Sequence, residues 1–213
     1  MGVRVPVSQL RSAGRKEGGL TFVALYRCLT RGRDKAFSVL AARSFASFGR
    51  HTVIQPPVRL GGEWRISIGS NVFIGAGSWL QVLESAGAEG AITIGDGTSI
   101  AGSCVLSACC GIDVGRNVLM ARNVYIADHM HAFDDLDRAV LDQGVDRIAP
   151  VRVDDGAWLG QNVVVGPGVR IGQGAVIGAN SVVLSDVADF TVAAGAPARS
   201  IRSLADEEVG TPS

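Results

Sequence analysis

Large rings are scarce in this 213-residue chain: aromatics make up 6% of it, against 47% apolar residues and 28 glycines. A core built on stacked rings is excluded, and the mix favours branched aliphatics joined by tight turns. Cysteine occurs only at Cys28, Cys104, Cys109 and Cys110, with no C-x-x-C pair. That argues against a disulfide framework or a thiolate zinc site and for reduced structural thiols. No apolar run reaches the roughly 18 residues of a membrane-spanning helix. The opening MGVRVPVSQLRSAGRKEGG has basic residues but no apolar stretch of the kind a secretion signal needs, so a cytoplasmic compartment is expected. A charged fraction of 19% with positive mean hydropathy excludes general disorder. Net charge is also missing, but the zero conceals an asymmetry. Residues 1–50 carry ten Lys/Arg against Glu17 and Asp34 (10 − 2 = +8), and the remainder carries ten against eighteen (10 − 18 = −8).

What is present is a repeat. Every sixth residue from Val153 is aliphatic: Val153, Leu159, Val165, Ile171, Ile177, Val183. The same beat appears upstream in threes: Ile68, Ile74, Leu80; Ile94, Ile100, Leu106; Val114, Met120, Ile126. A period of six fits neither a helix nor an alternating strand. It fits a short strand and a tight turn, repeated, with the aliphatic residue inward and Gly or Asn in the turn. Three such units close a triangular coil of 18 residues, and stacked coils pair as parallel strands about 4.8 Å apart. The spacing predicts an all-β parallel β-helix of about five coils over residues 66–185. Insertions interrupt it at 83–91, near 107–112 and at 128–150. A β-sandwich would place its strands every 8–12 residues instead.

The beat, the DHMH stretch (Asp128–His131), the segment PVRVDDGAWLGQNVVVGPGVRIGQGAVIGANSVV and the ending VAAGAPAR together resemble the hexapeptide-repeat acyltransferases, in their maltose/galactoside and polysaccharide O-acetyltransferase branch. The resemblance covers about residues 52–202. It implies a left-handed β-helix, a homotrimer with sites between prism walls, and acetyl-CoA as acyl donor with no metal required. It places the catalytic base at His129 and the coenzyme groove at Gln161, Ala179, Arg199 and Arg202. Where relatives often carry Thr-Lys before the following Asp, this chain has Leu184-Ser185.

The residues themselves are consistent with that chemistry. Acyl transfer from a thioester to a hydroxyl needs a base for the hydroxyl proton, and imidazole, with an ordinary pKa near 6.5, suits it at neutral pH. Of the three histidines, His129 and His131 stand where the third block ends and the long insertion begins, and His51 lies ahead of the repeat. Asp128 and His131 are candidates to orient the base or touch the acceptor. Neither Cys109 nor Cys110 is needed as a nucleophile. Two other activities compete. A non-catalytic β-helix scaffold has no use for His129 beside an acidic insertion. A zinc hydratase of the carbonic-anhydrase type would need three histidine ligands, at a spacing these do not offer. The expected function is therefore an O-acetyltransferase acting on a saccharide hydroxyl.

The basic first fifty residues form a separate region, 1–51, ahead of the repeat domain at 52–202 and a flexible tail at 203–213. Phe22, Leu25, Tyr26 and Leu29 recur at helical spacing, as do Phe37, Leu40, Ala41, Ser44, Phe45 and Phe48, with Asp34 and Gly49 as caps. Two amphipathic helices are predicted. They could cap the open end of the prism, or attach peripherally to an anionic inner-membrane face. No aromatic or motif pattern supports nucleic acid as the partner.

Overall fold

The repeat closes into a three-sided prism because its period matches one strand and one corner. The computed structural model describes residues 22–83 and 90–205. The basic arm ahead of Phe22, most of the 83–91 insertion and the tail from 206 lie outside the described residues. The chain divides at Arg33/Asp34 into two compact units.

In the second unit, three parallel sheets form faces A, B and C, each taking one strand from every coil. One full coil runs Ile92–Ile94 on face A, Ser99–Ile100 on face B and Val105–Ala108 on face C. The next runs Ile112–Val114, Leu119–Met120 and Tyr125–Ala127, in register with it. All fifteen aliphatic residues of the beat point inward and are at most 2% exposed. The structure adds a sixth coil upstream, Ser47–Phe48, Val53–Ile54 and Arg59–Gly61, paired to Ile66–Ile68, Phe73–Ile74 and Trp79–Val82. A hairpin of Thr191–Gly195 and Ala198–Ser203, antiparallel, closes the far end of face B.

Layers are stitched from inside and at the corners. Thr98 Oγ1 donates to the Gly115 carbonyl at 2.8 Å and accepts from the Val118 N–H at 3.1 Å; Thr52 does the same between Gly69 and Val72. At the B-to-C corner Asn123, Asn162 and Asn180 all adopt left-handed φ near +60° and stack as an amide ladder, Nδ2 to Oδ1 at 3.0 and 2.8 Å. Asn tolerates that backbone where a branched residue resists it. Asn162→Ala should therefore cost about 1–2 kcal/mol, and Asn162→Gly less, because glycine keeps the φ while losing only the exposed amide bonds. Thermal melts of the two variants check the order. Tight stacking also explains some glycines: a Cβ at Gly75 would lie 2.2 Å from the Ala101 carbonyl oxygen.

The N-terminal region departs from expectation. One helix, α1 (Phe22–Ala41), replaces the predicted pair. Gly32 sits inside it, and one interior glycine costs only about 1 kcal/mol against alanine. Asp34 is buried rather than capping, and its Oδ2 accepts from Gln55 Nε2 at 3.1 Å. Ser38 Oγ donates to the Asp34 carbonyl and accepts from the Ile54 N–H. After Ala41 the chain turns through Ala42–Ser44, and Phe45 and Phe48 enter the prism with ring centroids 5.4 Å apart. Leu40, expected on the buried face, is 78% exposed.

Candidate active site

The two extra residues near 107–112 create the site's foundation. They bulge the chain at the C-to-A corner so that three successive N–H groups converge. Those of Cys109, Cys110 and Gly111 donate to the Asp128 carboxylate at 2.6–3.0 Å. Such a nest favours an anion. Asp128 follows the face C strand Tyr125–Ala127 and is fully buried. Burial by itself would push its carboxyl up. The hydrogen bonds from His129 and from the Gly111, Cys109 and Cys110 backbone outweigh it and hold the carboxyl below its ordinary 3.8.

Asp128 Oδ1 also lies 2.8 Å from His129 Nδ1. An ionised carboxylate only accepts, so Nδ1 carries a proton, and the neutral ring is then the tautomer whose lone pair is on Nε2. The His129 side chain is 8% exposed, and it lines an open pocket of about 400 Å³. Asp128, fully buried, meets the His129 ring rather than the pocket surface.

Beyond His129 the insertion leaves the prism as an arm. Met130–His131 pairs antiparallel with Val145–Asp146, the one-turn helix α2 (Val140–Gln143) lies between them, and the Ala149 N–H returns to the Asp128 carbonyl at 2.9 Å. His131 stands exposed on this arm and lines the same pocket. Tyr125, Phe133 and Leu184 supply apolar walls that the sequence analysis passed over. Tyr125 carries a readable signal, since it stands one residue ahead of the inward Ile126 and must face out. Phe133 has none, because the arm has no period. Phe133→Ala should raise KM for the acceptor severalfold with less change in kcat, by removing buried contact area rather than the base. Steady-state kinetics separate the two.

The thiols beside the site are not activated. Burial, and then the Asp128 charge, push Cys109 up and Cys110 up to about 11. Cys109, Asp128 and His129 bring possible ligand atoms within 4.8 Å of one another. In this arrangement the three groups form a hydrogen-bonded cluster, both Asp128 carboxylate oxygens accepting N–H bonds.

Gln161 and Ala179 stack at the B-to-C corner one coil apart (179 − 161 = 18), tied by the Asn180 N–H to the Gln161 carbonyl at 2.8 Å. The pairing of Tyr125 with Val164 places Gln161 level with Arg122, seven residues before His129, or roughly 20 Å across face C. Arg199 pairs with Ala194, and Arg202 with Val192, on the terminal hairpin. Arg199 lines a separate cavity of about 250 Å³ with Ser185 and Asp186. A single chain thus joins Asp128, His129 and His131 at one corner but leaves the four coenzyme candidates outside that pocket.

Comparison with known proteins bears on this arrangement. Residues 150–185 match the family model described as bacterial transferase hexapeptide (six repeats). The galactoside O-acetyltransferase of Escherichia coli is 30% identical over 79% of this chain and 69% of its own length. The chain belongs to the hexapeptide-repeat acyltransferases. A Mycobacterium tuberculosis protein named as a probable acetyltransferase is 33% identical over 54% of this chain, but the match spans only 38% of that longer relative. Among solved structures, the N-acyltransferase AntD of Bacillus cereus, in complex with dTDP-4-amino-4,6-dideoxyglucose and coenzyme A, superposes with a TM-score of 0.67. The match covers 81% of this chain and 92% of AntD at 22% identity, a likeness of fold.

Proposed function

We propose that this chain moves an acyl group, acetyl in the simplest case, from coenzyme A to a hydroxyl of a saccharide, with His129 as general base. The carrying observation is the His129 ring at the pocket mouth, its Nδ1 fixed on Asp128. As the acceptor oxygen attacks the thioester carbon, its proton passes to Nε2. The C–O bond forms, the C–S bond breaks, and the imidazolium returns the proton to the departing thiolate, giving free coenzyme A thiol. The protonated state of Cys109 and Cys110 favours this direct transfer over an acyl-enzyme. His131 and the walls formed by Tyr125 and Phe133 would hold the acceptor, rings stacking on the sugar's apolar face. Gln161 and Ala179 would bind the pantetheine through corner backbone groups, and Arg199 and Arg202 the coenzyme phosphates.

Those groups lie apart in a single chain, so the site is proposed to be completed by a neighbouring copy in a ring of three. The outward residues of face A are Ser47, Ser67, Thr93, Asp113, Arg152 and Arg170, all polar. Face B instead turns out Val53, Phe73, Ser99, Leu119, Trp158, Val176 and Val192, and face C Arg59, Trp79, Gln81, Val105, Tyr125, Val164 and Val182, so both are mainly apolar. Leu119 and Trp158, paired neighbours, are each about half exposed. A heterologous contact that buries the apolar surface around the corner shared by faces B and C would close into a ring and leave face A in water. Light scattering should report a trimer, and Trp158→Asp a smaller species with little activity. A stable native monomer at micromolar concentration would count against the ring.

Thiol release from acetyl-CoA, screened over free sugars, nucleotide sugars and lipid-linked glycans, tests the activity. Release that depends on a saccharide hydroxyl supports the proposal. Release only with amines, or equally without any acceptor, overturns it.

A further inference from the structure

At the other end of the second unit, the first corner of the prism and the last turns of α1 enclose an open cavity of about 490 Å³. Its floor is apolar, from Val39, Ala42, Phe48 and Val53, and its cationic or titratable lining groups are Lys35, Arg50 and His51. No carboxylate lines it. Among the described residues none of those three side chains makes an ion pair. Cations gathered over an apolar floor with no counter-charge are complementary to an anionic head on an apolar body.

The surroundings indicate which such molecule. Val39 is 67% exposed and Leu40, beside it, 78%, and Arg43 follows within one turn. In the first unit, Phe22, Leu25, Tyr26 and Leu29 recur at i, i+3, i+4 and i+7 along α1, all exposed, with Arg27 and Arg31 between and beyond them. Exposed aliphatics with arginines on the same helix suit a lipid–water boundary, where apolar faces sink below the headgroups and guanidiniums meet phosphates. A soluble phosphate would gain nothing from the aliphatics. A second copy seated face to face would bring Lys35 and Arg50 against the same two cations. No helix among the described residues is long and apolar enough to cross a membrane.

We propose that this cavity takes the phosphate headgroup of an anionic phospholipid, seating the N-terminal end of the prism on the membrane surface. The site shares no residue with the His129 pocket. It is therefore independent of the proposed transfer reaction, whose rate without vesicles serves as the folding and activity control.

Flotation of the full chain with vesicles of phosphatidylcholine, with and without phosphatidylglycerol, tests it. Binding is expected only with phosphatidylglycerol and should weaken as salt screens the charges. The pair Lys35→Ala with Arg50→Ala should lower vesicle affinity about thirty-fold, from about 1 kcal/mol per basic group at an anionic surface. Val39→Ser with Leu40→Ser, both at exposed positions, should weaken it independently. Equal binding to neutral vesicles, no binding at all, or undiminished binding by the charge pair with its circular dichroism intact would each overturn the proposal. So would release from vesicles by millimolar inorganic phosphate at constant ionic strength, which would mark a site for free phosphate. Self-association abolished by the same variants in the absence of lipid would assign the face to a second copy instead.

Discussion

His129→Ala should lower turnover by about 10²–10⁴-fold, the range for losing a positioned acid–base group, while affinity for acetyl-CoA stays close to the parent value. The separation follows from the geometry. The ring lines the pocket at the C-to-A corner, whereas the groups proposed to hold the coenzyme lie at the opposite corner of face C and on the terminal hairpin. Isothermal titration with coenzyme A and single-turnover kinetics measure the two halves apart. Near-full rate in the variant would remove His129 as base. Lost coenzyme binding with an intact chemical step would assign the ring to the donor instead.

Substitution of Asp128 should cost more than its position behind the base suggests. Asp128→Ala leaves three converging N–H groups, that of Cys109 buried and those of Cys110 and Gly111 partly so, without their acceptor, and a buried one left unsatisfied costs about 1–3 kcal/mol. Asp128→Asn isolates the effect on the ring. The oxygen has to stay where Cys110 and Gly111 donate, which turns the amide NH₂ toward His129 Nδ1. That donor forces the imidazole proton onto Nε2, the atom that must act as base. The rate should then fall about as far as in His129→Ala, even in a folded protein. The pH dependence carries a sign. Because the folded carboxyl is held below its ordinary 3.8, its contribution to stability is complete above that value. It fades as pH falls through the lower folded value. The stability gap between parent and Asp128→Asn should therefore be full at neutral pH and close below about pH 4. A gap that widened in acid would contradict the assignment.

How much of this could be read from the residues varies along the chain. The inward beat from Ile68 to Val183 was plain, because a period of six has one structural solution and each hit is fully buried. The coil before it was hidden. Phe48, Ile54 and Leu60 keep the beat, but Phe37, Leu40, Ala41 and Phe45 set a helical rhythm across the same stretch. Which rhythm ends where depends on packing, since Phe45 turns into the prism and Leu40 out of it. His129 was legible as the proposed base by its residue type and place. The nest that holds Asp128 was not, because it is made of backbone N–H groups that no side-chain pattern announces. The cavity proposed to take a lipid headgroup lay deeper still, because Lys35 and Arg50 come to line it together only through the fold.

The register of face C has one further consequence. Strand partners there are 26 residues apart between Trp79 and Val105, 20 between Val105 and Tyr125, and 39 between Tyr125 and Val164. Subtracting the 18 of one turn leaves excursions of eight, two and twenty-one residues, yet the pairing resumes as though nothing had intervened. Chain length at these corners is thus decoupled from the stack. Doubling an excursion costs only about 0.6 kcal/mol of closure entropy. The scaffold can exchange the arm beside the His129 pocket, in length or in composition, without renegotiating a single layer of its interior. Under the proposed reaction, new acceptor ranges are then a matter of grafting at one vertex, while the nest that holds Asp128 stays as it is.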